Sequence, residues 1–519
     1  MIVNPAKSSS RRGASDLTES PSNELQAPRT HTRYGRIAIA ASLILTVAGL
    51  IVFTSIHKPA TRTDQVNQPV LNLTIEDPTG HAMTRFYSAL SATLSKSKGR
   101  LPEAGDQKEG LPGQPLDKAQ TFGSAGAGSG MEDRGSYKHS APLEPGVTRI
   151  VHYGDSHIAA DILTGALRHH FADDFGSAGP GFILPGVSGY SRLGVESGST
   201  PGWHANGTGQ IDPAGDCRFG LAGLALSTNQ AGQRLWVSAD STSFDLYLLK
   251  QPGGGDIEVF LDATSQGIIT LKSDQTSPYY FKVTSNTVAR HTLEIRTMVA
   301  GAVRVFGIAV EGDGPGVVYD ALGINGARAA RPLSWDWGTL ASNLGRRQPD
   351  LIVLSYGTNE AGDQDLDFDS YRARYAEMIA RFHAAVPQAS ILVIAPPDRA
   401  RRTGEKWASI SAMAGVVSAQ RKAALSAGAA FCDLYDEMGG AGSIQEWATT
   451  AYGLAGTDRV HLTRSGYRLV ADALYRGIEG AYLESVWREL GRVLMPFLDF
   501  KHPRRIQPRR AGRLRQGRL

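Results

Sequence analysis

The segment RIVHYGDSH, residues 149–157, decides the fold. Its first five residues form a short apolar run, which is typical of a buried strand, and apolar residues at helical spacing follow from Ile158 to Ala166. A strand that passes directly into a helix is the first half of a strand–helix–strand unit. In parallel sheets, ligands bind beyond the carboxyl ends of the strands, so the sequence predicts that Ser156 lies at such an end.

The same alternation of strand and helix returns in the last third of the chain. Strands are predicted for LIVLS (351–355), ILVIA (391–395) and AAFCDL (429–434). Helices are predicted around Phe368, Tyr371, Tyr375, Ile379 and Phe382, over 408–427, and from Arg464 to Ile478. This order predicts an α/β fold with a parallel sheet and helices on both of its faces.

The middle of the chain has a different pattern. Between residues 187 and 318, short alternating runs are separated by Gly, Ser, Asp and Pro, without helical stripes. This spacing is typical of an all-β sandwich. The sequence therefore predicts an α/β domain built from 146–186 and 319–490, with a β-sandwich insert over 187–318.

One apolar segment near the N-terminus predicts the location of the protein. Residues 37–56 read IAIAASLILTVAGLIVFTSI and contain no charged residue. A helix of this length spans about 30 Å, the thickness of a bilayer core. Basic residues precede it, which favours a cytoplasmic N-terminus and a single transmembrane helix. A cleaved signal peptide and a buried core helix are the alternatives, but the run is long and no clear cleavage site follows it.

The flanking segments are polar. Residues 1–36 are predicted to be a disordered cytoplasmic tail, and 57–145 a linker with one docking helix near 83–96. The basic tail, 491–519, has eight Lys and Arg and no acid within 500–519. It is predicted to attract an anionic polymer or lipid, with a merely solvated tail as the alternative. The rest of the chain is close to neutral, so overall charge does not indicate nucleic-acid binding.

Four short motifs carry candidate chemistry. Ser156 is a weak nucleophile unless a base removes its proton. Asp458 and His461 lie three residues apart, so the carboxylate can hold one ring nitrogen while the other faces a serine. The Asn359 amide suits a developing oxyanion, and the Gly326 N–H can approach one closely. Taken singly, each motif could equally be ordinary turn or capping chemistry.

Together the motifs resemble the SGNH/GDSL hydrolase superfamily. The family order of Ser, Gly, Asn and a closely spaced Asp and His is matched by Ser156, Gly326, Asn359, Asp458 and His461. The resemblance implies a flavodoxin-like parallel sheet, a catalytic Ser–His–Asp triad, and an oxyanion hole formed by the Ser156 and Gly326 N–H groups and the Asn359 amide. HYGDSHIAADILTGALRHHFADDFGSAGPGF and LGINGA are further similar to bacterial peptidoglycan O-acetylesterases, in which a carbohydrate-binding-module-like β domain is inserted between the Ser and Gly motifs.

This resemblance implies a serine esterase that removes O-acetyl groups from a cell-envelope or extracellular polysaccharide, without a metal or another cofactor. With the anchor at 37–56, the enzyme is expected in the bacterial inner membrane, with its catalytic domain outside the cytoplasm. An O-acetyltransferase using the same triad and a non-catalytic carbohydrate-binding protein are the alternatives. Cys217 and Cys432 are expected to be unpaired thiols, and Gly179 and Gly181 to be structural.

Overall fold

The structure is a computed structural model, and it describes residues 69–98, 146–187, 190–207 and 215–498. The predicted cytoplasmic tail 1–36, the predicted anchor 37–56 and the basic residues 500–519 lie outside these ranges. Within the described ranges, no helix is long and apolar enough to cross a membrane.

The helices within the described ranges are α1 (Thr84–Lys98), α2 (Ser156–Ala159), α3 (Ile162–Phe175), α4 (Trp337–Arg347), α5 (Phe368–Ala385), α6 (Met413–Ser426), α7 (Leu434–Glu437), α8 (Ser443–Thr449) and α9 (Arg464–Leu498), with 3-10 turns at Arg331–Ser334 and Glu360–Gly362. The strands are β1 (Val147–Gly154), β2 (Gly181–Ile183), β3 (Glu196–Ser199), β4 (His204–Asn206), β5 (Ala225–Thr228), β6 (Arg234–Lys250), β7 (Asp256–Leu261), β8 (Thr264–Thr270), β9 (Ser277–Thr297), β10 (Val303–Glu311), β11 (Gly316–Gly323), β12 (Leu351–Ser355), β13 (Ser390–Ile394), β14 (Ala400–Thr403), β15 (Lys406–Ser409) and β16 (Ala430–Cys432).

Five strands form a parallel sheet in the order β11-β1-β12-β13-β16. The strands are buried apolar runs, as expected of a parallel sheet that is covered on both faces. Gly154 of β1 pairs with Gly323 of β11 on one side and Ser355 of β12 on the other. Three neighbouring strands therefore end at one level, and the Ser, Gly and Asn motifs all begin at this edge.

Helices cover both faces of this sheet, as the sequence predicted. On one face, Tyr153 of β1 shares a core with Leu344 of α4, Tyr375 of α5 and Val416 of α6. On the other face, Phe171 of α3 packs edge-on against Phe86 of α1 and lies against Tyr319 of β11. The predicted stripe on α5 is buried apart from Phe368, which lies at the exposed start of that helix.

Nine strands, β2 to β10, form a single antiparallel sheet. The sequence predicts a sandwich over 187–318, and this stays a prediction. Hydrogen bonds join all nine strands, and the long strands β6 and β9 pair with each other from Arg234–Arg296 to Lys250–Ser277. A bulge between Ser241 and Ser243 interrupts this pairing. The sheet also includes β2, which lies before the predicted boundary.

Two shorter elements complete the fold. Helix α1 lies where the sequence predicted a docking helix. Its apolar face is buried through Phe86, Leu90 and Leu94. The helix predicted over 408–427 begins only at Met413, because the residues before it form the hairpin β14–β15, which was not predicted. Among the described residues no disulfide joins the cysteines: Cys432 is buried, and Cys217 is partly buried.

Candidate active site

Ser156 is the first residue of α2, directly beyond the end of β1. The buried Asp155 caps this helix, since its carboxylate accepts a hydrogen bond from the His157 N–H at 3.0 Å. The Asp155 N–H donates to the Ser355 carbonyl at 3.3 Å, which fixes the turn against β12. Because the first residue of a helix has no intrahelical acceptor for its N–H, the Ser156 N–H is available to a ligand.

Ser156, His461 and Asp458 form a hydrogen-bonded row. Ser156 Oγ lies 2.8 Å from His461 Nε2, and His461 Nδ1 lies 2.7 Å from Asp458 Oδ2. The second carboxylate oxygen accepts from the N–H groups of Val460 and His461 at 3.0 and 3.1 Å. Partial burial favours the neutral acid, but the hydrogen bonds from His461 and the two backbone amides outweigh it and lower the pKa of Asp458. The carboxylate therefore stays ionised and can orient the imidazole.

This row is open to solvent. The side chains of His461 and Asp458 are 42% and 50% exposed. A bulky substrate can therefore reach the serine across the surface. The cavity beside Ser156 has a different character: it is apolar, has a volume of about 30 Å³ and is lined by His157, Thr358 and Tyr467, among others. It is too small for a sugar.

Gly326 and Asn359 lie on the loops that follow β11 and β12, the two strands that end beside β1. The N–H of Ala327 donates to the Ile324 carbonyl in a tight turn, and Gly326 adopts the positive φ of 72° that such a turn requires. Asn359 Nδ2 donates to the Ala327 carbonyl at 2.8 Å. One amide hydrogen of Asn359 thus holds the glycine turn, and the other remains as a donor.

Glu360 is a feature of this region that the sequence did not reveal. Its side chain is buried, and Oε1 accepts from the Ala329 N–H at 2.6 Å. Burial raises the pKa of Glu360 to about 7. Asn359 and Glu360 therefore bind the backbone of one loop, at Ala327 and at Ala329. This loop includes Gly326. The sequence offered only an acidic residue after Asn359, and nothing in the pattern indicated its burial.

Two further histidines near the serine, and one of the glycines expected to be structural, are held by packing and hydrogen bonds. His157 is buried with Nδ1 2.9 Å from the Tyr467 hydroxyl, and burial lowers its pKa. His152 is fully buried between the hydroxyls of Tyr319 and Ser355, and burial lowers its pKa to about 3. A side chain at Gly181 would collide with Asp320, so this glycine serves packing. Among the described residues, no cluster of His, Cys, Asp and Glu could hold a metal ion.

The chain is similar to one protein family and to several solved structures. Residues 301–469 match the GDSL-like lipase/acylhydrolase family. No curated protein matches the chain. A solved peptidoglycan O-acetylesterase is similar, with a TM-score of 0.56 and 24% identity over 65% of this chain and 92% of that chain. A family two carbohydrate esterase from Cellvibrio japonicus aligns with a TM-score of 0.24 and 14% identity, over 56% of this chain and 97% of that one.

Proposed function

We propose that this chain, which contains a GDSL-like lipase/acylhydrolase domain, is a serine esterase that removes O-acetyl groups from a cell-envelope or extracellular polysaccharide. The observation that carries the proposal is the hydrogen-bonded row of Ser156, His461 and Asp458. A serine with a base and an orienting carboxylate is the arrangement that acyl transfer requires.

In the first half of the reaction, Ser156 Oγ attacks the acetyl carbonyl while His461 Nε2 accepts its proton. Asp458 holds the imidazole with Nε2 facing the serine and stabilises the imidazolium that forms. The negative charge that develops on the carbonyl oxygen is met by the N–H groups of Ser156 and Gly326 and by the Asn359 amide. His461 then protonates the departing sugar oxygen, leaving an acetyl group on Ser156.

In the second half, water attacks the acetyl-serine. His461 now takes a proton from the water, and the same three donors stabilise the second oxyanion. Collapse of this intermediate returns the proton to Ser156 and releases acetate. Each step uses groups supplied by this chain, and the exposed histidine leaves room for water to approach.

We extend the proposal to location and to the flanking regions. The uncharged segment 37–56, preceded by basic residues, supports anchoring in the bacterial inner membrane with the catalytic domain outside the cytoplasm. The β region over 187–318 would position the polymer, and the basic residues within 500–519 would contact anionic polymer or lipid. A tethered enzyme of this kind can reach envelope polymers.

The experiment measures acetate released from O-acetylated polysaccharides, including peptidoglycan, by the purified protein and by Ser156→Ala. The proposal predicts acetate release that the variant lacks. Adding an unacetylated glycan distinguishes transfer from hydrolysis, because acetyl-glycan appearing faster than acetate would make the protein a transferase. Equal release by the variant would overturn the mechanism.

A further inference from the structure

The hairpin β14–β15 lies beside the candidate triad and is basic. It exposes Arg401, Arg402 and Lys406 against a single carboxylate, that of Glu405. Arg402 pairs with Trp407 across the hairpin, so the guanidinium and the partly exposed indole emerge on the same face. Neither the core nor the proposed chemistry accounts for three cations on so short a hairpin.

The base of the hairpin is fixed to the site. The Ala400 N–H donates to the Arg459 carbonyl at 2.9 Å. The buried carboxylate of Asp398 accepts from the Ser409 hydroxyl at 2.7 Å. The Arg459 guanidinium lies 5.4 Å from the centre of the Trp407 ring. Because Arg459 lies in the short loop between Asp458 and His461, the hairpin borders the place where the ester must sit.

This surface has the chemistry of a subsite for acidic sugars. A guanidinium binds a carboxylate through two parallel hydrogen bonds, and the face of an indole offers apolar area to a flat partner. His461 and Asp458 are exposed, so a polymer can lie across Ser156 next to the loop to which the hairpin is fixed. We propose that the hairpin binds carboxylate-bearing sugar residues next to the acetylated one, so the preferred substrate is an anionic glycan. This inference rests on the proposed esterase function.

The test compares two variants with the same change in net charge. Arg402→Glu alters the face of the hairpin that carries Trp407, whereas the control Arg374→Glu alters an exposed cation of α5. Binding is measured by affinity electrophoresis in gels that contain polygalacturonate or its carboxyl-reduced, neutral form. Hydrolysis of para-nitrophenyl acetate is measured in parallel.

The wild type and the control should bind polygalacturonate and not the neutral form. The hairpin variant should bind about fivefold more weakly, the effect of losing one exposed ion pair, with unchanged hydrolysis of the small ester. Equal binding by all three proteins, or equal retention by both gels, would overturn the inference. The inference would also be overturned if the wild type bound anionic vesicles more tightly than the hairpin variant did, and did not bind polygalacturonate. A wild type that binds polygalacturonate but hydrolyses no ester would refute the proposed function and leave the subsite standing.

Discussion

At the scale of single residues, Glu360 gives a testable pH dependence. Its pKa is raised to about 7 in the folded protein, whereas the ordinary value is 4.5. Between these values the folded state holds a proton that the unfolded chain releases, so stability falls as pH rises through this window. Glu360→Gln should therefore gain up to roughly 3 kcal/mol at pH 8 and little at pH 4.

Urea unfolding at both pH values measures this difference. The exposed Glu377→Gln on α5 is the control, and it should change stability little at either pH. A Glu360→Gln variant that keeps the wild-type pH dependence would show that the carboxyl of Glu360 is not buried as described.

The candidate triad could be predicted from the sequence and Glu360 could not. Ser156, Asp458 and His461 sit in short motifs, and the three-residue spacing of Asp458 and His461 brings the carboxylate to the ring. The loop that precedes α9 brings the ring to the serine at the end of β1. Glu360 is decided by packing, because only the position of Ala329 in the folded loop gives the carboxyl a partner. The roles assigned to these residues in catalysis remain a proposal.

At the scale of secondary-structure elements, two glycines should respond differently to alanine. A β-carbon at Gly323 would lie 2.3 Å from the Ala159 nitrogen and 2.7 Å from the Asp155 carbonyl oxygen. Both are backbone atoms at the helix that begins with Ser156, so Gly323→Ala must displace that helix. It should cost about 1–3 kcal/mol and lower the turnover of para-nitrophenyl acetate on the order of a hundredfold.

The matched control is Gly326→Ala. A β-carbon there meets no atom within 4 Å, and only the positive φ of 72° is strained. This strain costs about 1–2 kcal/mol, and the N–H is kept. Thermal unfolding and small-ester kinetics compare the two variants. Equal loss of turnover at Gly323 and Gly326 would contradict the packing described for the serine helix.

The hairpin β14–β15 is an element that the sequence pattern did not predict. The segment Ala400–Ser409 lacks the alternation of apolar residues that indicates a strand, since only Ala400 is buried and both strands carry charge. Its place is set by tertiary contacts to Asp398 and Arg459. The strands β1, β12 and β13 were predicted because burial on both faces makes them continuous apolar runs.

At the scale of the whole molecule, buried ion pairs join the two sheets. Arg347 of α4 pairs with Asp320 of β11 at 2.6 Å and with Glu311 of β10. Asp320 is fully buried and also accepts from the Phe182 N–H of β2 at 2.7 Å. The parallel and antiparallel sheets therefore share one desolvated cluster of charges, which explains why the β region and the α/β part pack as a unit.

Removing one member of this cluster should destabilise the protein strongly. Asp320→Ala leaves the buried Arg347 with a single carboxylate, so the free energy of unfolding should fall by about 3–5 kcal/mol. The exposed pair of Arg421 with Glu76 is the control, and Arg421→Ala should cost less than about 1 kcal/mol. Urea unfolding measures both. Similar losses in the two variants would mean that the cluster does not hold the sheets together.

The pairing of β2 to β10 into one sheet could not be predicted from the sequence, for a related physical reason. Alternating runs show which residues face a core, but they do not show which strands pair or how far the pairing extends. The pairing of β6 and β9 joins the strands into one sheet, and it continues past the bulge at Ser241. The α/β part was predictable because its strands and helices alternate along the chain.

The central claim is that Ser156 is a nucleophile activated by His461. Labelling with a fluorophosphonate, which reacts with activated serines, tests it most directly when the labelled peptide is identified by mass spectrometry. We expect one label, on Ser156. It should be lost in Ser156→Ala, and the labelling rate should fall at least about a thousandfold in His461→Ala. Labelling at another residue, or at an undiminished rate in His461→Ala, would contradict it.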